Sequence, residues 1–286
     1  MVNHEVKALG PGLYFVATPI GTARDITLRA LDILASADVI AAEDTRSMRH
    51  LMEIHGVPLG GRPLIAYHDH NGDKVRPRLM QYLEEGKSVA YASEAGTPLV
   101  ADPGFDLGRI AREAGHLVTS APGASAVITA LTIAGLPTDR FMFCGFLPNA
   151  KQARRTALSE LGDIPATLAF YESPKRVAAM LQDASDILGG SRDAALCREL
   201  TKRFEECLTG NLGELAETAS GRSFKGEIVV LIGRKSASDD GDFNIEEELR
   251  KALETMSLRD ASEMVAKASG QNKRKIYQMA LALEDK

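Results

Sequence analysis

The 286-residue chain has no tryptophan, only 5% aromatic residues and three cysteines. Cys144, Cys197 and Cys207 are far apart, odd in number and form no CxxC pair. That pattern argues against a disulfide framework or a zinc knuckle and fits a reducing compartment. No apolar run approaches the roughly 18 residues of a membrane span. Met1–Pro11 does not read as a signal peptide, so a cytoplasmic protein is expected. No GxGxxG follows the first apolar run, and no GxxxxGK phosphate loop occurs, which excludes the two commonest nucleotide fingerprints. A formal net charge of −5 excludes a chain that is basic throughout. It leaves room for a local basic patch that meets phosphate.

What is present is a soluble globular composition, 44% hydrophobic and 26% charged, on a chain long enough for roughly two domains. Short apolar runs alternate with helical patterns. "LYFVA" (13–17), "VIAA" (39–42), "LIAY" (64–67), "SVAYA" (88–92) and "LVTS" (117–120) read as strands. Between them, stretches such as "TLRALDILASA" place Leu28, Leu31 and Leu34 on one helical face. Strands alternating with helices imply crossover connections and a covered, mostly parallel sheet. The composition shifts near "AGLPTDRFMF" (134–143), and a second alternating segment follows: "TLAFY", "DAALCREL", "EECLTG" and "EIVVLI". Its closely spaced strands suggest a mixed sheet. The expected organisation is an α/β domain over 1–122, a second α/β domain over 123–235, a polar linker over 236–243 and a helical C-terminal domain over 244–286.

Ligands of open α/β sheets bind beyond the carboxyl ends of the strands. Reading those ends in order gives "TPIG", "EDTR", "HDHN", "SEAGTP" and "APGAS", all rich in Gly, Pro or polar groups. Each is a turn composition by itself; five in succession point to a site on this edge. "HDHN" could chelate a metal if a third ligand folded nearby, but a polar loop that orients other residues is the preferred reading, and no metal is expected. In "EDTR", Asp44 is open to two roles, general base or cap of the following helix.

Taken in order, "LYFVATPIGTARDITLRALDILASADVIAAEDTR" and "SEAGTPLVADPG" resemble the ribosomal RNA small subunit methyltransferase I family. That family belongs to the tetrapyrrole-methylase-like, or class III, S-adenosylmethionine (SAM) methyltransferases. "YHDHN", "AGLPTDRF", "FYESPKR", "RELTK", "KGEIVVLI" and the helical tail extend the similarity over nearly the whole chain. The resemblance implies two α/β domains with SAM in the cleft between them, a homodimer, and methylation of a cytidine ribose 2′-hydroxyl in the decoding region of 16S rRNA. It implies a cofactor pocket of Pro19, Glu94, Ala95, Gly96 and Thr97 with Ser125 and Ala126. Tyr171, Leu200, Gly226, Glu227 and Ile228 would close that pocket from the second domain. Three positions depart from the family pattern. Glu94 replaces Asp, Ala124 replaces Pro, and Thr22 removes an amide.

Methyl transfer from a sulfonium is mainly a matter of alignment. A ribose hydroxyl is a poor nucleophile, so a group must accept its proton; the candidates near strand ends are Asp25, Glu43, Asp44, Glu199 and Lys202. Contact with 16S rRNA in the small subunit is assigned to Arg46, Arg154, Arg155, Lys273, Arg274 and Lys275. The substrate hydroxyl itself excludes DNA. Two other readings stay open: methylation of a small tetrapyrrole on the shared fold, and a non-catalytic module that binds during ribosome assembly.

Overall fold

The computed structural model describes residues 3–99, 104–235, 245–269 and 271–284. The expected linker and Asp102 of the "SEAGTPLVADPG" stretch lie outside the described residues. Contacts divide the chain into Met1–Ile133 with Arg198–Glu206, and Ala134–Cys197 with Cys207–Lys286. The first boundary therefore falls after a helix that the sequence reading gave to the second domain.

The first unit runs β1 (Gly12–Val16), α1 (Leu28–Ser36), β2 (Val39–Ala42), α2 (Thr45–Ile54), β3 (Leu64–Ala66), α3 (Gly72–Glu84), β4 (Ser88–Ala92), α4 (Phe105–Glu113), β5 (Val118–Ala121) and α5 (Ala126–Ile133). Its five strands form a parallel sheet in the order β3-β2-β4-β1-β5. Successive side chains of a strand point to opposite faces. Accordingly Tyr14 and Val16 join the core under α1 and α2, with Leu31, Leu34, Met48 and Met52. Leu13 and Phe15 join the opposite core under α3 and α4, with Leu79, Leu83, Leu107 and Ala111. Both faces are covered, which is why these strands read as continuous apolar runs.

The second unit contains β6 (Phe141–Phe146), α6 (Lys151–Leu161), β7 (Thr167–Glu172), α7 (Val177–Leu188), β8 (Asp193–Arg198), β9 (Glu206–Asn211), α8 (Leu212–Ser220) and β10 (Ile228–Ile232). Its sheet order is β6-β7-β10-β8-β9, with β6 parallel to β7 and β10 antiparallel to β7. The mixed sheet is thus as the sequence suggested, but β6 was not foreseen. It is an edge strand bulged between Phe143 and Gly145, with Gly145 at φ 66° and Phe141 and Phe146 exposed. The tail forms α9 (Ile245–Leu253), α10 (Leu258–Ser269) and α11 (Lys273–Glu284) around Leu249, Val265, Ile276 and Ala280.

Two sequence expectations change here. Cys197 and Cys207, ten residues apart on neighbouring strands, bring the sulfurs of two free thiols within 3.2 Å. Arg154 is not available to RNA. It is buried on α6, and its guanidinium donates to Asp183 of α7 at 2.8 Å and 2.6 Å. Arg155 completes the clamp, 3.0 Å from Asp183 and 2.9 Å from Asp186. The sequence reading assigned both arginines to RNA as part of a basic cluster; the acidic partners twenty-eight and more residues away are what turn them inward.

Burial works to raise the Asp183 pKa, but hydrogen bonds from Arg154 and Arg155 outweigh it and hold the carboxyl below its ordinary value. A depressed folded-state pKa means the clamp stabilises fully above the ordinary carboxylate range and is lost as pH falls through the lowered value. Asp183→Ala leaves the Arg154 charge buried and unpaired, and should cost about 3 kcal/mol or more in urea unfolding. The deficit should shrink as the titration is repeated toward acid pH, where the wild type loses the same clamp.

Candidate functional site at the carboxyl edge of the parallel sheet

The connections leaving β1 and β2 pass over one face of the sheet, and those leaving β3 and β4 pass over the other. Adjacent strands β1 and β4 therefore send their chains in opposite directions, which opens a crevice between their carboxyl ends. Thr18, just after β1, and Gly96, after β4, close an antiparallel bridge there. Thr18 N donates to Gly96 O at 3.0 Å, and Gly96 N donates to Thr18 O at 3.1 Å.

Other loops are tied to this bridge. Ser93 Oγ donates to Gly96 O at 2.6 Å, Thr18 Oγ1 to Ser93 O at 3.2 Å, and Thr97 Oγ1 to Ala124 O at 2.9 Å. Gly96 sits at φ 84°, where a Cβ would stand 3.2 Å from Ile20 and 3.4 Å from Ala124 O. A Cβ on Gly123 would lie 2.6 Å from the Ala17 Cβ. Small residues are thus required because three backbone segments meet, which accounts for the glycines of "SEAGTP" and "APGAS". Ser125 stands at the head of α5, its carbonyl accepting from Thr129 N at 2.9 Å, with Ala126 beginning the helix.

Beside the bridge lies a cavity of about 220 Å³ lined by Thr18, Pro19, Gly21, Asp44, Ser47, His50, Ser93 and Glu94. Its residues divide into scaffold and free edge. Glu43 Oε2 accepts from Glu94 N at 3.1 Å, so that carboxylate positions the "SEAGTP" loop. Asp44 is the cap of α2: Oδ1 accepts from Arg46 N at 2.7 Å and Ser47 N at 3.2 Å. The amides of Ser47 and Arg46 hold its carboxyl below the usual range, which favours the capping role over that of a general base. Arg46 itself is exposed. His55 Nε2 lies 2.8 Å from Ala23 O and pins the loop that carries Asp25, itself exposed in a 3-10 turn.

Residues 198–206, between β8 and β9, belong to this unit by their contacts. Thr22 N donates to Thr201 Oγ1 at 3.1 Å, and Thr22 Oγ1 donates to Thr201 O at 2.6 Å. A Cβ on Gly21 would be 2.6 Å from both Thr201 Oγ1 and Lys202 Cγ, so "TPIG" needs its glycine for this approach. Glu199 and Thr201 adopt φ 51° and 61°, strained for side-chain-bearing residues. Lys202 Nζ pairs with Glu199 Oε1 at 3.1 Å. Leu200, expected from the second domain, is buried in this segment instead, because the chain returns to the first unit for nine residues.

In the second unit, pairing of Ile228 with Glu172 and of Val229 with Tyr171 brings Tyr171, Gly226, Glu227 and Ile228 to one sheet edge. Gly226 is at φ 86°. The Tyr171 ring lies 4.9 Å from Phe143 and 5.7 Å from Phe146. Burial, with a smaller contribution from Glu227, pushes the Tyr171 phenol up, so it stays neutral. In "HDHN", Asn71 Oδ1 accepts from His68 N and Asn71 Nδ2 donates to Ala66 O, organising the turn. Among the described residues no three His, Cys, Asp or Glu side chains come together as a metal site.

The tail places Lys273, Arg274 and Lys275 in the exposed first turn of α11, which has no acidic residue. Lys273 pairs with Glu263 of α10.

A two-unit α/β chain with its loops converging at this switch point has the fold of the tetrapyrrole (corrin/porphyrin) methylases, whose family model matches residues 12–216. The model of an "RsmI C-terminal HTH domain" matches residues 238–284. The chain is 46% identical over 280 residues to "Ribosomal RNA small subunit methyltransferase I" of Mesorhizobium japonicum, covering 98% of this chain and 94% of that one. It is 42% identical to the protein of that name from Haemophilus influenzae, over 94% and 96% of the two chains. The chain therefore belongs to the ribosomal RNA small subunit methyltransferase I family. Among solved structures, a uroporphyrin-III C-methyl transferase from Thermus thermophilus, complexed with S-adenyl homocysteine, shares the fold with a TM-score of 0.54 at 16% identity, over 78% and 97% of the chains.

Gly96 and Gly60 both occupy positive φ, but nothing lies within 4 Å of a Cβ at Gly60. Gly96→Ala should therefore be the more damaging change, by about 1–2 kcal/mol beyond Gly60→Ala in urea unfolding, because contacts add to the conformational cost. Equal losses would mean that the bridge does not constrain the loop.

Proposed function

We propose that this chain transfers a methyl group from SAM to the 2′-hydroxyl of a cytidine in the decoding region of 16S rRNA, within the small ribosomal subunit, in the cytoplasm. The observation that carries the reading is the stitched set of loops at the β1–β4 switch point, on a chain whose family is that of rRNA small subunit methyltransferases. Among the described residues no helix is long and apolar enough to cross a membrane.

The site suits a ligand like SAM because the cavity beside the bridge is lined by small and polar groups, Thr18, Gly21, Ser47 and Ser93, together with the carboxylates of Asp44 and Glu94. Pro19, Glu94, Ala95, Gly96, Thr97, Ser125, Ala126 and Leu200 would hold it from the first unit; within the second unit Tyr171, Gly226, Glu227 and Ile228 gather at one sheet edge. When bound, SAM supplies the activated methyl on its sulfonium. The chain's own task is to fix the acceptor hydroxyl in line and take its proton. Glu43 and Asp44 are engaged by backbone amides, which leaves Asp25, Glu199 and Lys202 for proton transfer. The strained geometry of Glu199 supports placing that role on the 198–206 segment.

RNA contact falls to Arg46 and to the tail. Cations in the first turn of a helix oppose its dipole, so Lys273, Arg274 and Lys275 do not serve α11 itself; exposed, they suit phosphate. A homodimer belongs to the same reading. It is supported by the exposed Phe141, Met142 and Phe146 on edge strand β6.

The deciding experiment supplies labelled SAM and small subunits lacking the modification, then maps the product nucleotide by mass spectrometry. A 2′-O-methylcytidine in the decoding region is expected; label on a tetrapyrrole instead would redirect the reading to a small-molecule acceptor. Replacing Lys273, Arg274 and Lys275 with Gln should reduce the slope of log affinity against log salt for subunit binding by about 2–3. An unchanged slope would remove the tail from the RNA interface.

A further inference from the structure

The three cysteines have no part in the chemistry described so far. Two of them meet at the neck of the 198–206 segment. Cys197 lies on β8 just before the chain enters that segment, and Cys207 lies on β9 just after it returns. β8 and β9 are neighbours in the sheet. The adjacent rung is an ion pair, Arg198 Nε to Glu206 Oε2 at 2.7 Å, so the two strands are held in a register that keeps the sulfurs facing. Their separation is 3.2 Å, against about 2.05 Å in a disulfide.

We propose that Cys197 and Cys207 form a redox modification site, a thiol pair that exchange with a low-molecular-weight disulfide closes to a cystine. Cys197 is fully buried and Cys207 half-buried, so Cys207 meets the reagent first. Its thiolate attacks one sulfur of the small disulfide, forming a mixed disulfide and releasing one thiol. The Cys197 thiol then gives up its proton and attacks the Cys207 sulfur, and the second small thiol leaves. Two protein thiols are oxidised and one small disulfide is reduced to two thiols. Cys144 takes no part: its sulfur donates to Met142 O, and burial pushes its thiol up to about 11.

Closing this clasp covalently ties together the two ends of the segment that bears Glu199, Thr201 and Lys202. The consequence for cofactor binding rests on the function proposed above, whereas the chemistry of the pair does not. The test treats the full chain with oxidised glutathione and maps non-reduced peptides by mass spectrometry. A Cys197–Cys207 cross-link is expected, reversed by dithiothreitol, retained in Cys144→Ser and absent in Cys207→Ser. A lasting glutathione adduct on Cys207 without the cross-link, or a cross-link through Cys144, would overturn the site. If Cys207→Ser folds poorly, the wild-type map decides alone. SAM titration of reduced and oxidised protein should differ at least threefold in Kd. Equal affinities would overturn the coupling to the segment, while no SAM binding even when reduced would instead sink the proposed function and leave the thiol site standing.

Discussion

The pair of backbone hydrogen bonds between Thr18 and Gly96 is the constraint on which the first unit's functional edge depends. β1 and β4 are adjacent and parallel, and their chains depart in opposite directions. Without a tie across that divergence, the two loops would separate at the mouth of the crevice. The tie demands a residue at positive φ with no side chain, and Gly96 meets the demand. Ser93 and Thr97 then have fixed backbone to bond to, and Thr97 passes the constraint on to the "APGAS" turn through Ala124 O. Rigidity is built from short hydroxyl side chains and main-chain hydrogen bonds at residues that are themselves buried, Thr18 and Ser93 among them.

Charge at the site is used economically. Glu43 and Asp44 are both acidic and adjacent, yet each is bound to amide hydrogens of a neighbouring loop or helix start. A carboxylate that accepts backbone N–H bonds is stabilised as the anion and gives up its value as a base. The same residue type serves differently on the 198–206 segment, where Glu199 occupies a left-handed conformation beside Lys202. Thr22, which stands where the family pattern has an amide, anchors that segment by donating twice to Thr201, from its backbone N–H to the Thr201 hydroxyl and from its own hydroxyl to the Thr201 carbonyl.

Much of the first sheet was legible because fully covered parallel strands must be apolar on both sides: "VIAA" and "SVAYA" became β2 and β4 residue for residue. The strand-end loops were legible for the converse reason, since Gly and small polar residues collect where backbones converge. The edge strand β6 escaped notice because Phe141 and Phe146 face outward and Gly145 breaks the alternation with a bulge. The buried Arg154–Asp183 pair and the Cys197–Cys207 contact depend on residues brought together by packing rather than by spacing. So does the assignment of Leu200 to the first unit. No local pattern encodes any of these three. They appear only when the tertiary path of the chain is known.

That path crosses between the two units three times, after Ile133, after Cys197 and after Glu206. The first unit is consequently not a continuous piece of chain. As the protein emerges from its own synthesis, the five parallel strands are all present once β5 has appeared. The threonine that meets Thr22 is still unmade. Completion of the first unit must wait until the Ala134–Cys197 part of the second has been translated, so the edge expected to carry the chemistry is finished late. A chain truncated before residue 198 would carry an assembled sheet but an unfinished rim.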